Sequence, residues 1–140
     1  MSQNTDLSHR FYREVMSDGS LEAVDELCSE DYVEHEEFPG LTQDREGVKG
    51  FVTLFRTGFP DLNVEVEEIL ECDDKVVARV RFQGTHKGEF MGVPASGKAI
   101  DMPCIDIVRI TDGRAAEHWG ITDGMALMQQ IGVVPEGAPA

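Results

Sequence analysis

Hydrophobic residues recur every three or four positions in the first part of the chain, a spacing typical of amphipathic helices. The first run predicts a helix over residues 6–17. Ser20 can cap a second helix over residues 22–29, and a third is predicted over 45–58, where Pro60 closes it. The apolar positions that define these helices are Leu7, Phe11, Val15, Val24, Leu27, Val48, Phe51, Val52, Phe55 and Phe59.

Extended segments interrupt and then replace this helical pattern. Residues 32–35 break the helical spacing, so His35 is predicted to lie in a strand or loop. From residue 62 onward apolar and polar residues alternate with a period of two, as in a half-buried strand. Ile69 falls out of phase, which predicts a bulge near residues 67–68. A second strand then carries His86 onto the inner side.

The stretch from Gly97 to Asp123 predicts a β-hairpin that holds most of the candidate chemistry. Even positions from Ile100 to Ile110 form an apolar face, and Asp106 lies in the middle of that face. A buried carboxylate needs a partner or a raised pKa, because an unpaired charge away from water costs a large free energy. Asp106 is therefore the leading candidate for a functional residue.

The turn of this hairpin allows two pairings. A two-residue turn at 112–113 would place Asp106 opposite Trp119, whereas a three-residue turn with a glycine bulge would place it opposite His118 and place Cys104 opposite Gly120. Hydrophobicity slightly favours the first pairing, because it turns Trp119 toward the core. The residue pattern alone leaves both pairings open.

The order of elements predicts an α+β fold. Asp123 can cap a last helix that ends at Gly132, and residues 133–140 are predicted to fray. Helices followed by hairpin-linked strands favour helices packed on one face of a conical, curved antiparallel sheet that encloses a pocket. A length of 140 residues fits a single domain, 1–140.

Charge and cysteine content narrow the classes of partner. The chain has 27 acidic and 12 basic side chains and a formal net charge of -15, which disfavours nucleic acid and anionic membranes. It has no apolar run near the roughly 20 residues that a membrane span needs. Three cysteines without a CxxC pair suit reduced thiols, and a cytoplasmic location is expected.

Several short motifs, in their order and spacing, resemble the SnoaL-like polyketide cyclases of the nuclear-transport-factor-two-like (ketosteroid isomerase) superfamily. The similarity covers nearly the whole chain. The residues that carry it are Met16-Ser17-Asp18-Gly19, Asp31-Tyr32-Val33, Met91-Gly92-Val93-Pro94, Ile107-Val108-Arg109-Ile110, Asp112-Gly113-Arg114, Glu117-His118 and Leu127 through Gly132. The resemblance implies a cone-shaped α+β fold with a deep pocket, no metal or organic cofactor, and a homo-oligomer, a dimer or tetramer. It also selects the pairing with His118 inward.

The resemblance also points to a difference at the site. In the characterised cyclases an acid–base carboxylate follows, by two residues, the histidine that matches His118, and this sequence has Gly120 there. The positions of Cys104 and Asp106 carry glutamine and histidine in those cyclases. These departures argue against efficient aldol ring closure, and they leave Asp106 as the sheltered carboxylate for another proton transfer.

The site hypothesis is an acid–base enzyme, such as a cyclase, isomerase or dehydratase, that acts on a hydrophobic carbonyl compound. Asp106 and His118 would shuttle a proton across the hairpin, and His35 would orient the substrate. With Asp106 ionised nearby, His118 should titrate above its usual value of about 6.5. No local spacing supports a zinc site. Residues predicted to bind the substrate are Cys104, His86, Met102, Gly120, Phe55 and Met16.

Two other functions remain open. The protein could bind such a ligand without catalysis, or it could be an oligomeric interaction protein with a vestigial cone. With His118 inward, Trp119 faces outward near Ile105, Ile107 and Ile121, and an exposed apolar patch usually marks an interface. This pattern predicts a homodimer or larger assembly that covers Trp119.

Overall fold

The helices begin at side-chain caps, and the first starts earlier than predicted. A computed structural model of the chain describes residues 2–135, so residues 136–140 of the predicted frayed tail lie outside the described residues. Helix α1 spans Gln3–Arg10 rather than starting at residue 6, because the Ser2 hydroxyl accepts the Thr5 backbone N–H at 3.1 Å. It continues directly into a π-helical segment, Phe11–Ser17. Such segments often occur at functional sites.

The other helices follow the predicted pattern closely. Helix α2 spans Leu21–Leu27 behind its Ser20 cap, and Cys28 already belongs to the following strand. Helix α3 spans Arg45–Gly58, the range that the apolar stripe predicts. Helix α4 spans Gly124–Gln130 and is capped by the predicted Asp123. No helix in residues 2–135 is long and apolar enough to cross a membrane.

Within residues 2–135, five strands form one open mixed sheet in the order β1-β5-β4-β3-β2. They are β1 Cys28–Glu34, β2 Asn63–Cys72, β3 Lys75–Thr85, β4 Ala99–Thr111 and β5 Arg114–Thr122. The four hairpin-linked strands are antiparallel, as predicted, but β1 pairs parallel to β5. No tight turn joins these two strands, so hairpin geometry does not fix their relative direction. The predicted bulge between Val66 and Glu68 is confirmed.

The central hairpin adopts neither of the two predicted pairings in full. Asp112 and Gly113, with φ of 52° and 75°, form a two-residue turn that pairs Thr111 with Arg114. A bulge then inserts Ala116 as an extra residue opposite β4, so that Asp106 pairs with Gly120 and Cys104 pairs with Thr122. One extra residue reverses the facing of everything after it.

His118 therefore faces inward, as the resemblance implied, although the turn is not the one that was expected to place it there. Val108 is its direct cross-strand partner, and Asp106 is its diagonal neighbour on the same face. Helices pack over this inner face of the sheet and close a core that includes Val24, Phe55 and Val80. The space that remains between helices and sheet is the cavity described next.

Candidate functional site

A cavity lies between the N-terminal helices and the inner face of the sheet. Its wall is mostly aromatic and aliphatic, and four groups with acid–base chemistry lie together on it: Glu34, Glu36, Asp106 and His118. An apolar cavity with a few convergent polar groups is the usual form of a small-molecule site. The apolar wall includes Leu7, Phe11, Met16, Phe38, Leu41, Val48, Phe51, Phe82, Val108 and Ala115.

Asp106 on β4 is buried, with 7% of its surface exposed, and both of its carboxylate oxygens have partners. The Tyr12 hydroxyl, delivered by the π-helical segment, donates to Oδ2 at 2.6 Å. His118 Nε2 donates to Oδ1 at 2.8 Å. The Cys104 thiol lies 3.5 Å from Oδ1. The predicted contact between Asp106 and His118 is thus confirmed, and the buried charge is well satisfied.

His118 lies between two carboxylates. Its Nε2 faces Asp106, and its Nδ1 donates to Glu34 Oε2 in a very short hydrogen bond. A neutral imidazole has one N–H, so two carboxylate acceptors favour the doubly protonated ring. Burial opposes this charge, but the hydrogen bonds from Asp106 and Glu34 outweigh it and raise the pKa of His118 to about 10. The ring is therefore a fixed positive charge at neutral pH.

Two buried tyrosines complete this network as hydrogen-bond donors. Tyr32 donates to Glu34 Oε1 at 2.9 Å, as Tyr12 does to Asp106. Burial and the adjacent carboxylates raise the pKa of both phenols well above the ordinary value. Both hydroxyls therefore stay protonated. Burial likewise raises the pKa of the Cys104 thiol, which excludes it as a thiolate nucleophile near neutral pH.

Glu36 brings a third carboxylate to the same place from the loop after β1. Thr122 Oγ1 donates to its Oε2 at 3.2 Å. A Cβ at Gly120 would lie 2.6 Å from Glu36 Oε1, 2.7 Å from His118 Cε1 and 2.8 Å from Asp106 Oδ1. Gly120 therefore leaves the space in which these three groups converge. Burial, followed by repulsion from Asp106, raises the pKa of Glu36.

The same three residues also have the spacing of a metal triad, since one ligand atom of each lies within 4.8 Å of the others. A metal ligand nitrogen must be deprotonated. His118 instead donates from both nitrogens and is held in its charged form by two carboxylates. The donor set therefore fits acid–base chemistry better than metal binding.

Four of the predicted site residues line the cavity: Asp106, His118, Cys104 and Met16. His35, predicted to orient the substrate, does not. Alternation along the chain turns Glu34 and Glu36 inward and His35 outward, where its ring stacks on Trp119 at 5.0 Å and its Nε2 lies 2.6 Å from Glu117. The prediction for His35 was wrong because it took the wrong parity of this segment.

His86, Met102 and Phe55 are buried but do not line the cavity, which corrects three predicted binding residues. Phe55 packs within an aromatic cluster around Phe59, and Met102 pairs with Phe82 further along the sheet. His86 is completely buried beside Phe59, and its Nδ1 accepts the Ser96 backbone N–H at 3.2 Å. It holds the 88–97 loop in place. Gly120, the remaining predicted binding residue, borders the polar cluster through its missing side chain.

Sequence reasoning missed Tyr12, Tyr32, Glu34 and Glu36. A signal existed for three of them. Tyr32, Glu34 and Glu36 alternate with Val33 and His35, and a period of two puts the first set on one face. Tyr12 gave no such signal, because the π-helical turn that aims it at Asp106 is invisible in the apolar spacing.

The opposite face of the sheet is apolar and partly exposed, as predicted. A shallow surface there is formed by His35, Ile105, Ile107, Trp119, Gly120 and Ile121, which we call the outer patch. Ile121 is 80% exposed and Ile105 is 51% exposed. Trp119 faces this side and not the cavity, which confirms its predicted orientation.

Comparison with known proteins gives consistent results. A family model described as SnoaL-like polyketide cyclase matches residues 6–131. The aklanonic acid methyl ester cyclase DnrD of Streptomyces peucetius is 27% identical to this chain, with 98% of each protein covered. The solved structure of IdmH from Streptomyces antibioticus is 35% identical with a TM-score of 0.81, covering 94% of this chain and 99% of IdmH. TsrD from Streptomyces laurentii is 27% identical with a TM-score of 0.85, covering 94% and 96%.

Proposed function

Given that the chain belongs to the SnoaL-like polyketide cyclase family, we propose that it is an acid–base enzyme acting on a neutral, hydrophobic carbonyl compound. The observation that carries this proposal is the convergence of Glu36, Asp106 and His118 at one place in an otherwise apolar cavity. Buried titratable groups gathered in a cleft are typical of catalytic sites.

The proposed reaction moves a proton at the carbon next to a carbonyl group. A carboxylate removes that proton, and the C–H electron pair becomes an enolate near the fixed charge of His118. Attack of the enolate carbon on a second carbonyl of the same molecule would close a ring. The product is an isomer of the substrate, so the reaction is redox-neutral and the proposal requires no cofactor.

The charged groups at the polar end of the cavity favour a substrate without a charge of its own. Glu34, Glu36 and Asp106 surround the single imidazolium of His118, so the polar end of the cavity is negative when all three carboxyls are ionised. A substrate carboxylate there would meet like charge in a region of low dielectric, which is unfavourable. An ester in place of an acid removes this repulsion. DnrD is named for a methyl ester substrate, which agrees with this preference.

The expectation that Gly120 prevents ring closure rested on the loss of a carboxylate at that position. Glu36 Oε1 lies 2.6 Å from where a Cβ at position 120 would be. The loop after β1 therefore supplies a carboxylate to the space that a side chain at position 120 would occupy. We therefore propose that aldol ring closure is within the reach of this site. This replaces the earlier expectation as the favoured chemistry.

Incubation with aklanonic acid methyl ester, followed by chromatography and mass spectrometry, tests the proposal. We expect a new compound of unchanged mass with the wild-type protein and with Glu71→Gln, which changes an exposed carboxyl on β2 that does not line the cavity. Asp106→Asn should reduce conversion, because it removes one of the two carboxylates that hold the charged ring of His118. Tight binding without conversion would favour the non-catalytic ligand-binding alternative, and neither binding nor conversion would contradict the proposed substrate class.

The outer patch supports a second proposal, that the protein is a homo-oligomer. Ile105 and Ile121 are exposed beside the half-buried Trp119 on one apolar surface, and such a patch usually marks an interface. A two-fold axis through this patch would cover it on both copies at once.

A cytoplasmic location stays a prediction, supported by free Cys28, Cys72 and Cys104.

A further inference from the structure

We propose that Glu36 is the catalytic residue that exchanges the proton with the substrate, and that Gly120 provides the space its carboxylate needs. This inference rests on the proposed function and assigns its central step to one residue. Among 27 acidic residues, only the period-two alternation of residues 32–36 marked Glu36 as an inward residue. The assignment comes from the contacts of the four groups in the cavity.

Three of those four groups already have their proton-exchanging atoms occupied. Asp106 accepts from Tyr12 and His118 on its two oxygens. Glu34 accepts from Tyr32 and His118 on its two oxygens. The two nitrogens of His118 are held by these same carboxylates. Removing a proton from either nitrogen of His118 would break a buried hydrogen bond, which costs about 1–3 kcal/mol. Protonation of Asp106 or Glu34 would remove the charge that strengthens the hydrogen bonds these carboxylates accept.

Glu36 is bound differently. Its Oε2 accepts one long hydrogen bond from Thr122, and its Oε1 has no hydrogen-bond partner among residues 2–135. Glu36 follows the end of β1, and its backbone N–H donates to Glu34 Oε2 at 3.2 Å, so a loop anchored at the network carries its carboxylate. A free oxygen on a loop-borne carboxylate can approach a substrate carbon without breaking the Asp106–His118–Glu34 network.

Gly120 is what allows this approach. A Cβ there would come within 2.6 Å of Glu36 Oε1, and real Cβ atoms do not approach other atoms so closely. Any side chain at position 120 would displace Glu36, or else His118 and Asp106. Glycine therefore has a steric role at this position, which is independent of backbone conformation.

The surroundings of Glu36 suit a group that both takes up and returns a proton. Asp106 on β4 and Glu34 on β1 disfavour its charged form, while His118 on β5 and the Thr122 hydroxyl favour it. Burial, the largest effect, brings the pKa up from the ordinary value and toward neutral pH. A base with a pKa nearer to the working pH is a more effective acid–base catalyst.

The proton and electrons balance in two steps. Glu36 accepts the proton from the substrate carbon, and the C–H electron pair forms the enolate. When the enolate carbon bonds to the second carbonyl carbon, the electrons of that C=O bond move to its oxygen. This oxygen then takes the proton from Glu36, and the carboxylate is restored.

Glu36→Gln tests the assignment with aklanonic acid methyl ester as the probe. We expect conversion to fall by about 100-fold or more, the usual effect of removing an acid–base group. His118 should titrate as before by NMR, because Asp106 and Glu34 hold it, and this shows that the site is intact. Full conversion by Glu36→Gln beside an active wild-type protein would overturn the inference and leave the proposed function standing.

Gly120→Ala gives a second test of the same assignment. Displacement of Glu36 should reduce conversion, whereas Gly124→Ala, where an added Cβ meets nothing within 4 Å, should not. Should the wild-type protein not convert the probe, the proposed function fails, and the inference that rests on it fails as well. Full conversion by Gly120→Ala beside an active wild-type protein would contradict the inference alone, and ¹³C NMR of the glutamate carboxyls gives an independent check of the inference. A Glu36 carboxyl that titrates in the ordinary range near 4.3 would contradict it.

Discussion

Two hydrogen bonds to carboxylates determine the protonation state of His118. Asp106 was predicted as its partner, and the two groups were expected to shuttle a proton. The Glu34 carboxylate at Nδ1 instead keeps the ring protonated on both nitrogens. A group that loses its proton only near pH 10 is a poor exchanger at neutral pH. The histidine therefore supplies a positive charge to the site, and our proposal assigns proton exchange to a carboxylate.

We predict that His118 stays protonated throughout pH 6–8, because its pKa is raised to about 10. Asp106→Asn should lower this pKa by about one unit, equivalent to about 1.4 kcal/mol, since Glu34 still holds the other nitrogen. Histidine side-chain NMR between pH 5 and 11 measures both values. A wild-type His118 that titrates near 6.5 would show that the carboxylates do not hold it.

Of the four acid–base residues in the cavity, the sequence analysis named Asp106 and His118 but not Glu34 and Glu36. Asp106 could be predicted because a carboxylate on an apolar strand face is rare. The residue pattern left the facing of His118 open, and the family resemblance placed it inward. Glu34 and Glu36 could not be singled out by type among 27 acidic residues. Only the alternation that puts them on the same face as Tyr32 distinguished them, and the choice of His35 led to the opposite face.

In the hairpin β4–β5, one extra residue determines which side chains of β5 face the cavity. Its turn is the two-residue turn, which alone would have turned His118 outward, and the bulge at Ala116 turns it inward again. Ala115 and Ala116 are both small and both buried, so neither the pattern nor the size marked which was extra. Longer periodic elements such as α3, Arg45–Gly58, were predictable because many apolar positions agree.

The π-helical segment Phe11–Ser17 has one contact that can be tested alone. Tyr12→Phe keeps the ring and removes the hydroxyl that donates to Asp106 at 2.6 Å. We expect a loss of about 1.5–3 kcal/mol in the free energy of unfolding, typical of a hydrogen bond to a charged group. Urea unfolding measures it, with exposed Thr53→Ala on α3 as the control. Equal stability of Tyr12→Phe and wild type would remove this contact from the account.

For the whole molecule, the raised pKa of His118 makes stability depend on pH. The folded protein binds this proton more tightly than the unfolded chain, in which histidine titrates near about 6.5. The stabilisation is therefore complete below about pH 6.5 and is lost as pH rises through about 10. We predict that the unfolding free energy of wild type relative to His118→Gln falls between these values. A constant difference over this range would be evidence against the shift.

The outer patch leads to a prediction about assembly. Light scattering at low micromolar concentration should show a dimer or larger species, because association buries Ile105, Trp119 and Ile121. The double substitution Ile105→Lys and Ile121→Lys should give a monomer. Leu70→Lys, which changes another exposed apolar residue on β2, should leave the assembly intact. A monomeric wild-type protein would mean that the patch has another role.

The proposed removal of a proton from a substrate carbon in this cavity can be measured without ring closure. In D₂O, 1-tetralone is a hydrophobic ketone whose α-hydrogens can exchange but which has no second carbonyl to attack. Saturation transfer first confirms that it binds, and proton NMR then follows the loss of the α-CH₂ signal. We expect the α-hydrogens to exchange faster with the wild-type protein than in buffer, and at the rate seen in buffer with Glu36→Gln. Bound 1-tetralone that exchanges no faster with the wild-type protein than in buffer would contradict it.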